Sequence, residues 1–424
     1  MNTKAFDSFA QRLGPGLITG AADDDPSGIA TYSQAGSQFG FGLVWTLLLT
    51  TPLMIGIQML SARIGWVTGQ GLAANIARVC PRWLTLALVG LLVVANTINI
   101  AADIGAMAEA VRLLVGGPHV VYIVAAGALC ILGQVYFSYE RTVRVLKWLT
   151  LALFSYVAVV MSVQVPWREA IQASLRPWAV VPAGTTAGDY AGMVVAVLGT
   201  TISPYLFFWQ AAQEVEDNHR RPEATRLRDH PAYAAEHLAR IKQDTYVGML
   251  LSNAVALCIV VATAVTLHQH GITHIQTSAQ AAEALRPVAG EFAFAVFALG
   301  IIGTGLLAVP VLAGSAAYAV SEIFGWKAGL SHGFREARGF YAIIVAATGI
   351  GTVMSVFEVD PIRALVWSAI VNGVISVPIM VAMMWIGQSR RLMGELTMSR
   401  RHRVFGWAAT GVMAAAVAVM LLTS

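Results

Sequence analysis

Long apolar stretches separated by short polar connections dominate the chain. A helix needs about 20 apolar residues to cross a bilayer. Eleven segments meet that requirement, at roughly 13–38, 41–65, 83–115, 119–138, 144–165, 188–216, 245–267, 291–323, 339–357, 361–387 and 403–423. The pattern predicts an all-α membrane protein of 11 transmembrane helices, organised as a single membrane domain over 1–424. In the first segment the apolar pattern fails. Asp23, Asp24 and Asp25 follow one another and lead into Pro26, Ser27 and Gly28. Three consecutive carboxylates cannot share one face of an intact helix, and a carboxylate at bilayer depth is costly enough to require a partner, a cavity or a substrate. Pro26 lacks a backbone donor and disfavours helix at Asp25, which predicts a helix broken in mid-membrane. The sixth segment carries a second interruption, Gly199-Thr200-Thr201-Ile202-Ser203-Pro204-Tyr205.

Both interruptions fall in the opening helix of a set of five. Paired broken helices at matching positions point to a midplane site in an inverted-repeat transporter. The pattern therefore predicts a first inverted repeat over 13–165, a second over 188–387, and an additional helix at 403–423. Five spans per half force the two halves into opposite orientations.

Composition agrees with a polytopic membrane protein: 57% of residues are hydrophobic and 12% charged, about half the charged fraction usual in soluble domains. The net charge of +4 matters less than its distribution. With the N-terminus in the cytoplasm, every Lys and Arg except Arg112, Arg168, Arg176, Arg286 and Arg363 falls on the cytoplasmic side, as the positive-inside rule requires. This places the chain in the inner (plasma) membrane, multi-pass, with a cytoplasmic N-terminus. The Arg- and His-rich connection 217–244, with a short helix expected from Ala232 to Lys242, reads as an anchor facing anionic lipid. Cys80, Cys130 and Cys258 have no metal-ligand or disulfide spacing. His268, His270 and His274 read as solvated loop histidines, and Met383 and Met384 as lipid-facing or core filler. Phosphate-binding glycine loops, nucleophile elbows and H-E-x-x-H patterns are absent from the sequence, which argues against an enzyme.

Gly14-Pro15-Gly16-Leu17, Asp25-Pro26, Ala30-Thr31 and Gln34-Ala35-Gly36-Ser37-Gln38-Phe39-Gly40 are followed by Trp45, Leu47-Leu48-Leu49, Gln58, Ala62-Arg63 and Val67-Thr68-Gly69. Together they resemble the start of the Nramp family of divalent-metal transporters. The resemblance is dense over about the first 75 residues and thinner, but collinear, through the sixth and eighth spans. It implies a LeuT-type fold of two inverted five-helix repeats with broken helices 1 and 6, and uptake of manganese, iron or related ions, generally with protons.

The site residues depart from the family pattern. Asp25 and Pro26 match the Asp and Pro of its D-P-G-N motif, but Ser27 and Gly28 stand where the family has Gly and the amide ligand Asn. Ser203-Pro204-Tyr205 replaces the sixth-helix M-P-H motif, and Gln210 stands at a later histidine. Asp103 matches the acid of the third helix, while its partner position is Ala106 and Glu109 lies further along. Losing a thioether and an amide while gaining carboxylates and hydroxyls makes a harder, more anionic site. Such a site suits magnesium, or manganese as a compromise. Candidate metal ligands are Asp25 first, then Asp24 and Asp23, the carbonyl of Ala22, Thr200 and Ser203. Asp103 is either a satisfied buried acid or a proton relay. Glu109 is a second proton-route candidate, and Glu214 with Glu216 ends the sixth span either as a solvated helix end or as an exit vestibule.

The leading expectation is a secondary transporter of divalent cations working by alternating access, with weak or absent proton coupling. The metal is its substrate, no cofactor is expected, and its surroundings are the lipid bilayer rather than nucleic acid. It is expected to act as a monomer. The alternatives are a non-metal solute transporter on the same fold and a non-transporting sensor.

Overall fold

The computed structural model describes residues 15–136, 151–176, 185–219, 234–357 and 361–423. All regular structure among these residues is helical. The elements are α1 (Pro15–Asp23), α2 (Pro26–Phe39), α3 (Val44–Thr68), α4 (Leu72–Val79), α5 (Arg82–Val115), α6 (His119–Tyr136), α7 (Phe154–Ser162), α8 (Trp167–Leu175) and α9 (Ala187–Thr201). They continue as α10 (Pro204–His219), α11 (Ala234–Thr266), α12 (Ser278–Glu283), α13 (Arg286–Ala289), α14 (Ala293–Phe324), α15 (Arg338–Phe357), α16 (Pro361–Gln388), α17 (Arg390–Met393) and α18 (Arg400–Thr423).

Among the described residues nine helical stretches are long and apolar enough to cross a membrane, or ten if the bent pair Leu151–Ser162 and Trp167–Leu175 is one span. The difference from eleven has two sources. The first expected span is divided into α1 and α2, and α2 runs on through a short turn into α3 as one stretch of 43 residues. Residues 144–150 of the expected fifth span lie outside the described residues, as do 220–233 of the Arg-rich connection. The helix expected from Ala232 to Lys242 is not a separate element where it is described: it forms the first turns of α11.

Both expected breaks are present. α1 stops at Asp23. Asp25 then takes an extended conformation (φ −70°, ψ 171°) as the N-cap of α2, with Pro26 opening the helix. Proline is well suited to that first position, where its missing N–H would have no helical partner. α9 stops at Thr201 and α10 begins at Pro204. Here hydroxyls cover the carbonyls at the helix end: Ser203 Oγ lies 2.8 Å from Gly199 O and 2.9 Å from Thr200 O, and Thr201 Oγ1 lies 2.9 Å from Val197 O. Backbone groups at such depth need internal partners because lipid offers none.

Packing sorts the helices into two groups. α1, α2, α3, α10 and α11 pack on one another, and α5, α6, α14 and α15 form a second set. α16 joins α5 to α9 and α18. α9 and α16 approach so closely that a Cβ on Gly199 would stand 2.1 Å from Ala369 O and 2.6 Å from Gly373 N. α4 borrows its N-terminal cap from the second group: its capping residue Gly71 has no side chain to offer, and Glu322 Oε2 on α14 accepts the N–H of Ala74 (3.0 Å). Met383 and Met384 are fully buried, so they are core filler and not lipid-facing.

Gly199→Leu is expected to destabilise the protein by about 1–3 kcal/mol, because backbone must move to admit the side chain. Gly192→Leu, on the same helix with open space around it, serves as the control. Thermal unfolding of the two purified variants checks this: the first midpoint falls and the second stays within error of the parent.

Candidate functional site

The two breaks meet. A Cβ built on Gly28 would stand 3.2 Å from Asp23 O, 3.2 Å from Thr200 Oγ1 and 3.4 Å from Asp25 Oδ1. A carbonyl, a hydroxyl and a carboxylate from the two interrupted helices thus converge on the bare face of one glycine.

Asp25 is the best-partnered acid of the three. Its Oδ1 accepts the N–H of Gly28 at 2.6 Å, the helix-capping bond of α2. Its Oδ2 accepts from Asn99 Nδ2 (3.2 Å) and faces Tyr205 Oη (3.3 Å), which also lies 3.2 Å from the carbonyl of Ala22. Asn99 is held from behind. Ser368 Oγ donates to its Oδ1 (2.7 Å), and Ser27 Oγ, 3.1 Å from Ser368 Oγ, donates to Leu365 O (2.9 Å). The chain of contacts therefore runs from α2 through α16 and α5 back to Asp25.

Asp23 and Asp24 turn the other way. Ser252 Oγ on α11 lies 2.6 Å from Asp23 Oδ2 and 3.2 Å from Asp24 Oδ1. Asp23 is 1% exposed and its Oδ1 has no hydrogen-bond partner among the described residues. The three neighbouring carboxylates thus form two arms and not one cage. Among the described residues no three acidic, histidine or cysteine groups cluster as a metal site. Any cation held at this break has to rely on carbonyl and hydroxyl oxygens beside Asp25.

The remaining candidates separate. Thr200 belongs to the convergence. Ser203 spends its hydroxyl hydrogen on the end of α9. Asp103 is fully buried on α5, one turn beyond Asn99. Glu109 lies about 9 Å further along that helix and pairs with Arg112 at 2.8 Å, with His119 Nε2 at 3.9 Å. It does not reach the breaks.

Neither Glu214 nor Glu216 ends a solvated helix. Glu214 is fully buried and bound to Arg240 (2.9 Å), which also pairs with Asp217 (3.2 Å) and lies 4.8 Å from the Trp66 ring centroid. Glu216 accepts from Tyr318 Oη and from the N–H of Leu330. Both carboxylates point inward because cations and donors from α11, α14 and the segment after it meet them there. His268 also differs from the solvated residue expected: its Nδ1 contacts Ser37 O at 2.8 Å, whereas His270 and His274 are exposed.

The family model described as natural resistance-associated macrophage protein-like matches residues 16–423. The chain belongs to the Nramp family. The divalent metal cation transporter MntH of Klebsiella pneumoniae (strain 342) is 25% identical over 403 residues, covering 93% of this chain and 90% of that protein. The namesake from Aeromonas hydrophila is 28% identical over 302 residues, covering 69% of each. Among solved structures, a single-residue variant of the Eremococcus coleocola manganese transporter superposes with a TM-score of 0.72 at 18% identity, covering 96% of this chain and 85% of that one. MhsT in complex with L-phenylalanine superposes with a TM-score of 0.58 at 13% identity, covering 96% and 98%. The fold is the LeuT-type fold expected from the sequence, and the relatives are transporters, not enzymes.

Within this Nramp chain the sequence pointed to Asp25 and Thr200 but missed Asn99, Tyr205, Ser252 and Ser368. Asn99 stood in plain view as an amide four residues before Asp103. Tyr205 was noted only as a histidine replacement. Ser252 and Ser368 carry no signal in the sequence, since hydroxyls are common in membrane helices.

Arg240→Met is expected to cost about 3–5 kcal/mol, because it strands the buried Glu214 carboxylate. Glu109→Gln, at a half-exposed pair, is expected to cost less than about 1 kcal/mol. Denaturation of the purified variants measures both.

Proposed function

We propose that this Nramp-family chain is a secondary transporter of divalent cations, with magnesium or manganese as substrate, bound between the two broken helices. The observation that carries this reading is the convergence of Asp23 O, Asp25 Oδ1 and Thr200 Oγ1 on Gly28. Relatives along most of the chain are named as divalent metal cation transporters. Every oxygen at the convergence is hard, and Ser203 stands where the family resemblance implies a methionine sulfur. Hard oxygen sets suit magnesium, which needs few direct ligands because it keeps several waters.

Asn99 takes the part of the amide that Gly28 does not supply. Its Nδ2 donates to Asp25 Oδ2. Turning the amide over offers Oδ1 to a cation at Asp25 and Nδ2 to Ser368 Oγ, a hydroxyl that can accept as well as donate. The Asp25–Asn99 bond also crosses between the two packed groups. In alternating access one group, α1, α2, α3, α10 and α11, rocks against the other around this site. Residues 13–165 and 188–387 serve as the two inverted repeats, with 403–423 an addition. The basic ends of α3, α11 and α18 face the cytoplasm.

Proton coupling is weak or absent in this reading. Gln210, at the later histidine position, is bonded to Gln58 Nε2 (2.5 Å) and Thr245 Oγ1 (3.0 Å), and Glu109 is paired away from the site.

A second reading, a small organic solute, draws on the fold match to MhsT with its bound amino acid. Competition against bound manganese by magnesium, calcium and candidate amines separates the two. A sensor would bind without flux.

In proteoliposomes Asp25→Ala is expected to abolish uptake of both ions, and Asn99→Leu to weaken metal affinity roughly 10–100-fold. Gly28→Asn, which restores the family amide in a tight space, should raise manganese uptake relative to magnesium. Unchanged flux in Asp25→Ala rejects the reading. With a pH dye inside the vesicles, adding either ion is expected to cause no acidification beyond that of empty liposomes; strong acidification rejects the uncoupled mechanism.

A further inference from the structure

We propose that a groove between α3, α11 and α18 binds an anionic phospholipid, its phosphodiester headgroup on a basic rim and its acyl chain along an apolar wall. The groove encloses about 430 Å³. Lys242 and Arg401 supply the basic rim, His402 lines the groove beside them, and Pro52, Ile55, Met59 and Phe405 form the wall. It opens beside a smaller pocket that Arg63 and His402 line together.

Charge complementarity names the occupant. The residues lining the groove include no carboxylate. None of the ion pairs among the described residues involves Lys242, Arg401 or Arg63. Lys242 Nζ rests 5.7 Å from the Tyr246 ring centroid. Arg63 spends its donors on the carbonyls of Leu396 (2.7 Å) and Thr397 (3.1 Å), which pins the segment leading into α18. His402 is oriented by a 2.8 Å contact between its Nδ1 and Ser399 Oγ. Lys242 and Arg401, with no ion-pair partner among the described residues, repel one another, and an anion between them removes that repulsion.

The apolar wall selects a lipid over a soluble anion. Along α11 the one-turn steps from Lys242 lead to Tyr246 and then to Leu250, 47% exposed. Along α3 they lead from Met59 to Ile55 and Pro52 and on to Leu48, 54% exposed. In α18 Arg401 and His402 precede Phe405, 45% exposed. All three helices therefore carry charge at the same end and apolar surface beyond it, matching the order of headgroup and chain. Basic pockets between membrane helices are suited to such headgroups. A free phosphate would use the rim alone.

Native mass spectrometry of the full-length protein, mixed with phosphatidylglycerol or phosphatidylethanolamine of identical acyl chains, tests this. The parent protein is expected to retain phosphatidylglycerol preferentially. The double variant Lys242→Gln with Arg401→Gln should lose that preference by roughly tenfold or more, and Lys242→Arg with Arg401→Lys should keep it. Circular dichroism and size-exclusion chromatography establish that the variants are folded; should the neutral pair fail, the single exposed substitution Arg401→Gln carries the test with a smaller loss. Equal retention of both lipids, an unchanged preference in the folded neutral variant, or displacement of the lipid by millimolar sodium phosphate overturns the proposal.

Discussion

The carboxylate of Asp25 is buried, 2% exposed, and much of the architecture around it follows from the need to give its oxygens hydrogen-bond partners. One oxygen is used to start α2, through the N–H of Gly28; the other is met by Asn99 from α5 and Tyr205 from α10. Three separate helices are therefore drawn to a single side chain. The helix break is the structural consequence: an unbroken helix would leave the carboxylate no backbone donor, since only a helix start presents free N–H groups. Pro26 makes the break local by occupying the position where a donor is not needed.

Asp23 and Asp24 meet the same constraint with less. They share the Ser252 hydroxyl, and one Asp23 oxygen has no partner among the described residues. A single O–H has one hydrogen to give, so Ser252 cannot donate to both carboxylates at once. Elsewhere buried charge is compensated within the protein, as at Glu214 with Arg240 or at Glu322 with the N–H of Ala74. The contrast is between acids matched by a cation or a backbone donor and a pair that shares one hydroxyl.

Much of this was legible in the chain. The breaks at Asp25-Pro26 and Ser203-Pro204 were readable because proline and clustered polar residues are costly in apolar spans and interrupt the helix where they stand. Glu214 and Glu216 were not: near a helix end a carboxylate reads the same whether solvated or paired, and only the approach of α11 and α14 distinguishes the two. Three adjacent aspartates likewise suggested one site, whereas the ending of α1 turns them to opposite neighbours.

Sequence by itself determined the membrane class, the family and the two interrupted helices, because these rest on local hydropathy, proline geometry and motif. Tertiary structure alone decided which oxygens meet. Thr200 and Asn99 lie 175 and 74 residues from Asp25, and no local pattern specifies which faces of separate helices come together. That outcome depends on close approaches such as Gly199 on Gly373 and on hydrogen bonds such as Ser368 to Asn99, which exist only once the helices have packed.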